Sequence, residues 1–524
     1  MKKLTLLVLI LFTSFNASSQ KVIKEAYSSN VLSDSLGQYF DKKTYSGDPI
    51  PSFEKNKHLL PKPIFDDKPD YIDFYYKAWE IGFKHFKQPQ PTSPFVSNFI
   101  DEAFNENIFL WDMSFSTMWG NYAHHIFPSI KGLDNFYRTQ LPDGEIVREV
   151  GEKDGHLGVV GWSEPGTEGN LNHPILPWAE LESYKITGNK KRLRDVYLPL
   201  QKYRESFKKI YHQDSGLYLT DKAAMDDSPR NEQMLAGIDV AAEMVIFDRW
   251  LATMATIINK PEDVSFYNKR AEEYSAFINH KLWDEKKGFY YDWGKNNKRM
   301  NMRTIAAFWT LMGKIPNEKQ KNKLIGHLND PSSFKTKHRV PTHPANEVGF
   351  NGDYWAGAVW VPTNTMVIEG LEINGEFKLA HEIAINHLDA TTEVFNQTGT
   401  AWENYYPLEW KKGRKAKPDF IGWSGLAPIN YLIKHAIGIR VNAPENEIIW
   451  HINETSRHGI EGLRFGQGKS ANSISVVAAK RATLKEDIHL SIHCEKSFLL
   501  TTIFSEKRES YEITCDKETS LVLK

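Results

Sequence analysis

The sequence predicts a mainly α-helical fold of stacked helical hairpins followed by a small antiparallel β domain, and three observations carry that expectation. From Tyr71 to about residue 438, apolar residues recur at spacings of three and four in YIDFYYKAWEIGFKHF, HPILPWAELESYKITG, VAAEMVIFDRWLATMATII and SFYNKRAEEYSAFINHKLW. That is the period of a helix with one buried face. Two segments, YHQDSGLYL (211–219) and LWDEKKGFYYD (282–292), each follow a helical run with an Asp, a turn glycine and a short aromatic strand. Such a weak internal repeat suggests stacked helical pairs. After about Gly438 the texture changes to short alternating runs, among them NEIIWHI, SISVVAA, IHLSIHC and TSLVLK, set between polar turns.

Taken in order, the chain opens with MKKLTLLVLILFTSFNASSQ: two lysines, an apolar run from Leu4 to Phe12, then small polar residues. This layout is that of a secretory signal peptide, so residues 1–20 are expected to be removed and the mature protein exported to a periplasmic or extracellular space. No cysteine follows the apolar run, which argues against a lipid anchor, and no later stretch reaches the roughly 18 apolar residues of a membrane span. Residues 21–70 are polar and proline-punctuated and read as an extended arm. Residues 71–438 form the helical region and 439–524 the β domain. Cys494 and Cys515, the only cysteines, fall in this last segment. The sequence leaves a disulfide and two free thiols equally open.

Composition narrows the partner. With 65 Lys+Arg against 66 Asp+Glu spread along the chain, there is no basic stripe for nucleic acid, and a neutral or weakly charged ligand is expected. Fifteen Trp and twenty-two Tyr offer flat amphipathic faces of the kind on which sugar rings stack, although about two-thirds of the rings are expected simply to pack helices. No metal and no cofactor is expected. His381 and His387 are six apart, whereas two ligands on one helical face need the i, i+4 spacing, and the adjacent His124 and His125 point to different faces.

The remaining signals are carboxylates in aromatic, turn-rich settings: Asp112 in FLWDMSF, Asp226 and Asp227 with Arg230 in AAMDDSPRNE, and Glu403 in WENYYP. Each alone reads as a cap, a turn or a satisfied acceptor. Together and in this order they resemble the inverting α-glycosidases with an (α/α)6 barrel, especially glycoside hydrolase family 63 and its mannosylglycerate-hydrolase-like relatives, with trehalases more distantly similar. The resemblance covers roughly residues 100–470. It implies an (α/α)6 toroid, a six-hairpin glycosidase, closed by the small β domain.

Residue by residue, NIFLWDMSF resembles the family's Trp-Asp motif, so Asp112 inherits the role of holding sugar hydroxyls and Trp111 a stacking role. LPDGEIVRE resembles a Pro-Asp-Gly turn that these enzymes carry. NHPILPWA resembles a Gln-Pro-Pro segment and puts Asn172 at a substrate-binding amide. MDDSPR looks like the Met-Asp-Asn-Ser-Pro-Arg motif of the general acid, implying Asp226 as acid and Arg230 as a substrate contact, with Asp227 standing where the family has Asn. YWAGAVWVPTN resembles Tyr-Trp-Arg-Gly-Pro-Val-Trp and implies Tyr354, Trp355, Trp360 and Asn364 as cleft residues, with Ala356 and Ala358 in place of the family's Arg and Pro. WENYYP resembles the general-base motif, giving Glu403 as base with Trp402 as a wall, and FIGWSGLAP adds Trp423.

The expected activity is hydrolysis of an α-linked sugar from an oligosaccharide or glycoside with inversion. Two readings compete: a polysaccharide lyase, disfavoured because the motif regions show few Arg or Lys beyond Arg230, and a carbohydrate-binding toroid without catalysis, disfavoured because both carboxylates are present. The sugar, the linkage and the oligomeric state are not legible.

Overall fold

Helical periodicity resolves into two kinds of helix in the computed structural model, which describes residues 43–101, 105–171, 173–220, 225–504, 507–515 and 519–524. The signal-like segment, most of the arm and Asn172 lie outside the described residues. One kind is buried on every side: all residues of Leu110–Gly120 are buried, as is every residue of Ile238–Ile258 up to Asp248. The other buries one stripe only. Pro261–Leu282 hides Tyr267, Arg270, Ala271, Tyr274, Ser275, Ile278 and Leu282, the three-and-four spacing of an amphipathic helix.

Local chemistry sets the helix ends. Prolines open Pro69–Lys84 and Pro261–Leu282, where a missing N–H costs nothing. Gly188 closes Leu176–Thr187 and Asn259 closes Ile238–Ile258, both in the left-handed region. A capping box of Asn317 and Gln320 starts Glu318–Leu328.

The more deeply buried segments contact one another in sequence. Leu110–Gly120 packs on Leu176–Thr187, which packs on Ile238–Ile258; next come the 3-10 segment Ile305–Leu311 and then Val361–Ile373. The turn Ser424–Leu426, leading into the π-helical Ala427–Ile437, touches both Val361–Ile373 and Leu110–Gly120. Amphipathic helices lie against this series: Lys190–Tyr211 and Pro261–Leu282 on Ile238–Ile258, and Phe377–Thr398 on Val361–Ile373. Pro69–Lys84 packs on both Phe377–Thr398 and Ala427–Ile437.

Ala427–Ile437 ends at Gly438, whose φ of 92° turns the chain into the β region; a Cβ there would stand 2.0 Å from the His451 carbonyl oxygen, so only glycine fits. Two sheets follow. The five-stranded sheet is antiparallel throughout, and its first strand, Lys62–Phe65, comes from the N-terminal arm and pairs with His458–Phe465. The four-stranded sheet is antiparallel except at one pairing: Glu447–His451 runs parallel to Phe498–Phe504. Between those two strands the chain crosses into the other sheet and returns, and a long crossover is what a parallel pairing requires. Cys494 and Cys515 form a disulfide that joins a strand of one sheet to the end of the other, which resolves the alternative left open by the sequence. Among the described residues no helix is long and apolar enough to cross a membrane.

Candidate active site

Segments far apart in sequence meet around one pocket of about 170 Å³. That is smaller than the roughly 300–1,000 Å³ of sites for drug-sized ligands and suits one small polar ring. Its walls are indoles. Trp355 and Trp360 stack with ring centroids 4.1 Å apart and planes 10° apart. Trp423 meets Trp360 edge-on at 5.6 Å and Trp111 at 5.7 Å. The turn that presents Trp355 is held in an unusual shape, with Tyr354 at φ 39°, a conformation that non-glycine residues adopt chiefly where surroundings enforce it.

Three carboxylates face this space. Asp112 stands in the first turn of Leu110–Gly120; it is buried, and its Oδ1 has no hydrogen-bond partner. Burial pushes its pKa well above the usual carboxylate range, and the charges of Glu403 and Asp226 add to the rise. The indole nitrogen of neighbouring Trp111 is likewise buried without a partner. A donor and an acceptor withheld from the protein's own hydrogen bonds, side by side, are what a sugar hydroxyl would satisfy.

Glu403 is buried too, at 3% exposure. Its Oε2 accepts the Lys417 backbone N–H at 3.2 Å, and its own carbonyl accepts the Trp423 indole N–H at 2.9 Å, so the aromatic wall and the acid hold each other in place. Burial raises its pKa to about 7 against the opposing hydrogen bonds from Lys417 and from the Tyr354 side chain. Asp226 sits at the mouth, its side chain 38% exposed and 4.0 Å from the Arg148 guanidinium. The Asn231 amide fixes the turn beneath it by donating to the carbonyls of Met225 and Asp226.

The structure therefore gathers Trp111, Asp112, Asp226, Tyr354, Trp355, Trp360, Glu403 and Trp423 around one space. Asn172 lies outside the described residues, and the remaining expected residues do not line this space. Arg230 is fully buried away from the pocket and ion-paired with Asp239 and Asp292, so it fastens a loop rather than a substrate. Asn364 is also fully buried, its amide donating to the carbonyls of Val340 and Trp360. Trp402 faces outward: its indole N–H donates to the Thr398 hydroxyl, and the Lys412 ammonium covers its ring. Asp227 turns away from the pocket to accept the Trp355 backbone N–H and the Lys415 ammonium.

Pocket residues that sequence reasoning passed over include Arg148, Trp162 and His173. Arg148 is the last residue but one of the LPDGEIVRE segment, and its guanidinium lies 4.5 Å over the Trp162 ring. Trp162 belongs to the glycine-rich stretch 151–169, where an aromatic outside any helical period was the available signal. His173 lies with Nδ1 2.8 Å from the Glu243 carboxylate. The expectation of few cations near the site is also corrected: Arg148 lines the pocket, and Lys411, Lys412, Arg414, Lys415 and Lys417 follow Glu403 in one strap. Several of these have carboxylate partners, Arg414 with Asp353 and Lys415 with Asp227. No group of three His, Cys, Asp or Glu arranged to hold a metal occurs among the described residues.

Comparison with known proteins agrees with this chemistry. A curated but uncharacterised protein of Borreliella burgdorferi is 28% identical over 471 residues, spanning 87% of this chain and 96% of its own. The GH63 mannosylglycerate hydrolase of Thermus thermophilus, solved with glucose, shares the fold at a TM-score of 0.55 and 17% identity, covering 68% of this chain and 99% of its own. The neutral trehalase of Saccharomyces cerevisiae does so at a TM-score of 0.50 and 13% identity, covering 67% and 77%. The family described as "Mannosylglycerate hydrolase MGH1-like glycoside hydrolase domain" matches residues 131–420, more than half of the chain and a span that includes Arg148, Asp226, Trp355 and Glu403. The chain belongs to this MGH1-like glycoside hydrolase family and is a glycosidase acting on carbohydrate.

Proposed function

We propose that this protein is an exported, inverting glycosidase that removes one α-linked sugar from the end of a short glycan or glycoside, with Asp226 as general acid and Glu403 as general base. The observation that carries the reading is the depth of the two carboxylates, Glu403 at 3% exposure and the Asp226 side chain at 38%, in one indole-walled pocket. A terminal sugar enclosed by the indoles directs its glycosidic oxygen toward the mouth. There Asp226 protonates the departing oxygen, while Glu403, beneath the ring, takes a proton from the attacking water. Asp112 and the Trp111 N–H bind ring hydroxyls, and the walls exclude bulk water. Inversion requires about 6.5–9.5 Å between the two carboxyl groups, room for that water.

The scaffold of this reading is a six-hairpin (α/α)6 toroid. Its support is the succession of buried segments, each contacting the next, that returns through Ser424–Leu426 to Leu110–Gly120. Export is supported by the signal-like leader and by the Cys494–Cys515 disulfide, a bond that persists in oxidising compartments.

One observation favours a second reading with the two roles exchanged: a pKa of about 7 also suits a group that must hold a proton at neutral pH. Leaving-group dependence separates them. A screen of α-linked oligosaccharides identifies the substrate, and NMR of the first product gives its anomer. Asp226→Asn should then lose natural-substrate turnover yet keep hydrolysis of a glycosyl fluoride, whereas Glu403→Gln should lose both. The opposite pattern exchanges the roles, and a first product of retained configuration overturns the inverting mechanism.

A further inference from the structure

The second aspartate of MDDSPR has no place in that chemistry, yet its contacts are specific. One carboxylate oxygen accepts the Trp355 backbone N–H at 2.8 Å, and the other accepts the Lys415 ammonium at 3.0 Å. Each partner belongs to a different segment around the site. Trp355 is wall, on the turn strained at Tyr354. Lys415 rides on the strap that returns from Glu403: Trp402 bridges to Pro418, Tyr405 bridges to Lys412, and Glu403 and Lys417 exchange backbone contacts. The same ammonium lies 5.9 Å over the Tyr354 ring, whose side chain hydrogen-bonds Glu403.

Resting on the glycosidase reading above, we infer that Asp227 is a positioning residue, a clasp that ties the segment carrying Asp226 to the indole wall and to the strap carrying Glu403, and so sets the spacing of the two reacting carboxylates. An asparagine at this position, as the resembling family carries, keeps an oxygen for the Trp355 N–H but has no charge for Lys415. The ionised side chain holds both. The Asp227 and Lys415 side chains are 38% and 57% exposed, so the ion pair is solvent-screened and its effect modest. The clasp therefore trims geometry and contributes little to stability. Small displacements at reacting groups still lower turnover, because the productive arrangement depends on distance and alignment.

The test uses Asp227→Asn, Lys415→Met, the double variant and Lys415→Arg in the full-length protein, on the substrate found by the screen. Asp227→Asn and Lys415→Met should each lower kcat by about two- to fivefold, with KM nearly unchanged. The double variant should be no worse than the weaker single, since both remove one interaction. Lys415→Arg should restore most of the rate, and thermal unfolding should stay where it is in the wild type. A second readout does not need turnover: trypsin should cut the strap at Lys411, Lys412 or Arg414 faster in Asp227→Asn than in the wild type, because a released strap opens more often. Additive kinetic losses, or a strap cut at the wild-type rate, would refute the clasp and leave the glycosidase reading intact. If Asp227→Asn loses natural-substrate turnover yet hydrolyses a glycosyl fluoride, Asp227 is itself the acid, and both the clasp and the Asp226 assignment fail. If no α-glycoside is hydrolysed at all, the functional reading fails while the proteolysis still decides the clasp.

Discussion

Two buried carboxylates in this molecule have opposite surroundings. Asp248, in the middle of Ile238–Ile258, accepts four hydrogen bonds from two arginines: Arg204 at 2.9 and 3.2 Å, and Arg270 at 2.8 and 2.6 Å. Asp112, equally buried at the start of Leu110–Gly120, has an oxygen with no partner and shares its space with Glu403 and Asp226. The first site is electrostatically closed. Its arginines come from Lys190–Tyr211 and Pro261–Leu282, so the cluster fastens three helices together. The second site is left open by the same chain, which sets two further carboxylates beside Asp112 and only Arg148 as a lining cation, 4.0 Å from Asp226. Burial alone does not mark function; a buried acceptor without a partner that also lines a pocket shared with other carboxylates does.

The largest effect should come from breaking the closed site. Asp248→Asn leaves Arg204 and Arg270 buried beside a neutral amide, and loss of one member of such a cluster costs about 3–5 kcal/mol. Urea unfolding should report that loss, with the catalytic constants of the surviving folded protein near wild type. A variant as stable as the wild type would show that the cluster does not hold the helices. The matching change at the open site, Asp112→Asn, should reverse the pattern. The melting temperature should hold or rise, while kcat/KM falls by roughly 10- to 100-fold through lost hydrogen bonds to substrate. Equal kcat/KM would remove Asp112 from the subsite.

Glu403 sharpens the comparison through pH. Its pKa in the folded protein is about 7, raised by burial from an ordinary 4.5. Between those values the folded protein binds more protons than the unfolded chain, so this group's contribution to stability falls as pH rises and is fully unfavourable above about 7. Glu403→Gln should therefore gain on the order of 1–3 kcal/mol over the wild type at pH 8 and little at pH 4. As base, Glu403 must be ionised while Asp226 stays protonated, so the wild-type kcat/KM profile should be bell-shaped. Asp226→Asn acting on a glycosyl fluoride, which needs no acid, should instead climb with pH through the same region. A flat profile from pH 5 to 8 would count against it.

How much of this was legible in the sequence follows from what each residue depends on. Amphipathic helices were readable because their burial repeats along the chain, as in Pro261–Leu282. The buried segment Ile305–Leu311 was not, since a run hidden on all sides has no period to detect. Nor was the parallel pairing of Glu447–His451 with Phe498–Phe504, because strand direction depends on a connection through the other sheet. At the site, Asp112, Asp226 and Glu403 stood out as acids breaking an apolar or aromatic run. Arg230 read as a substrate contact from the same motif, and only the tertiary arrival of Asp239 and Asp292 makes it structural. Arg148 carried no such signal: an arginine after a turn becomes a pocket residue only when Asp226 and Trp162 reach it.

The smallest expected effect concerns the tryptophan beside Glu403. Trp402 and Trp111 are sequence equivalents of a kind, each an indole immediately preceding an acid, but Trp111 is 6% exposed in the pocket wall while Trp402 turns out to Thr398 and Lys412. This half-buried indole contributes mainly through local contacts: one hydrogen bond of 2.9 Å and one cation over its face at 4.6 Å. Replacing it should cost no more than about 1 kcal/mol of stability and shift KM by less than about twofold. Trp111→Ala should instead raise KM by about tenfold or more, because it removes both a stacking face and the N–H kept for the ligand. A Trp402→Ala variant whose KM rises as far as that of Trp111→Ala would mean that the substrate extends past the mouth and along the strap. The site would then be a groove for a longer glycan instead of a pocket for one terminal ring.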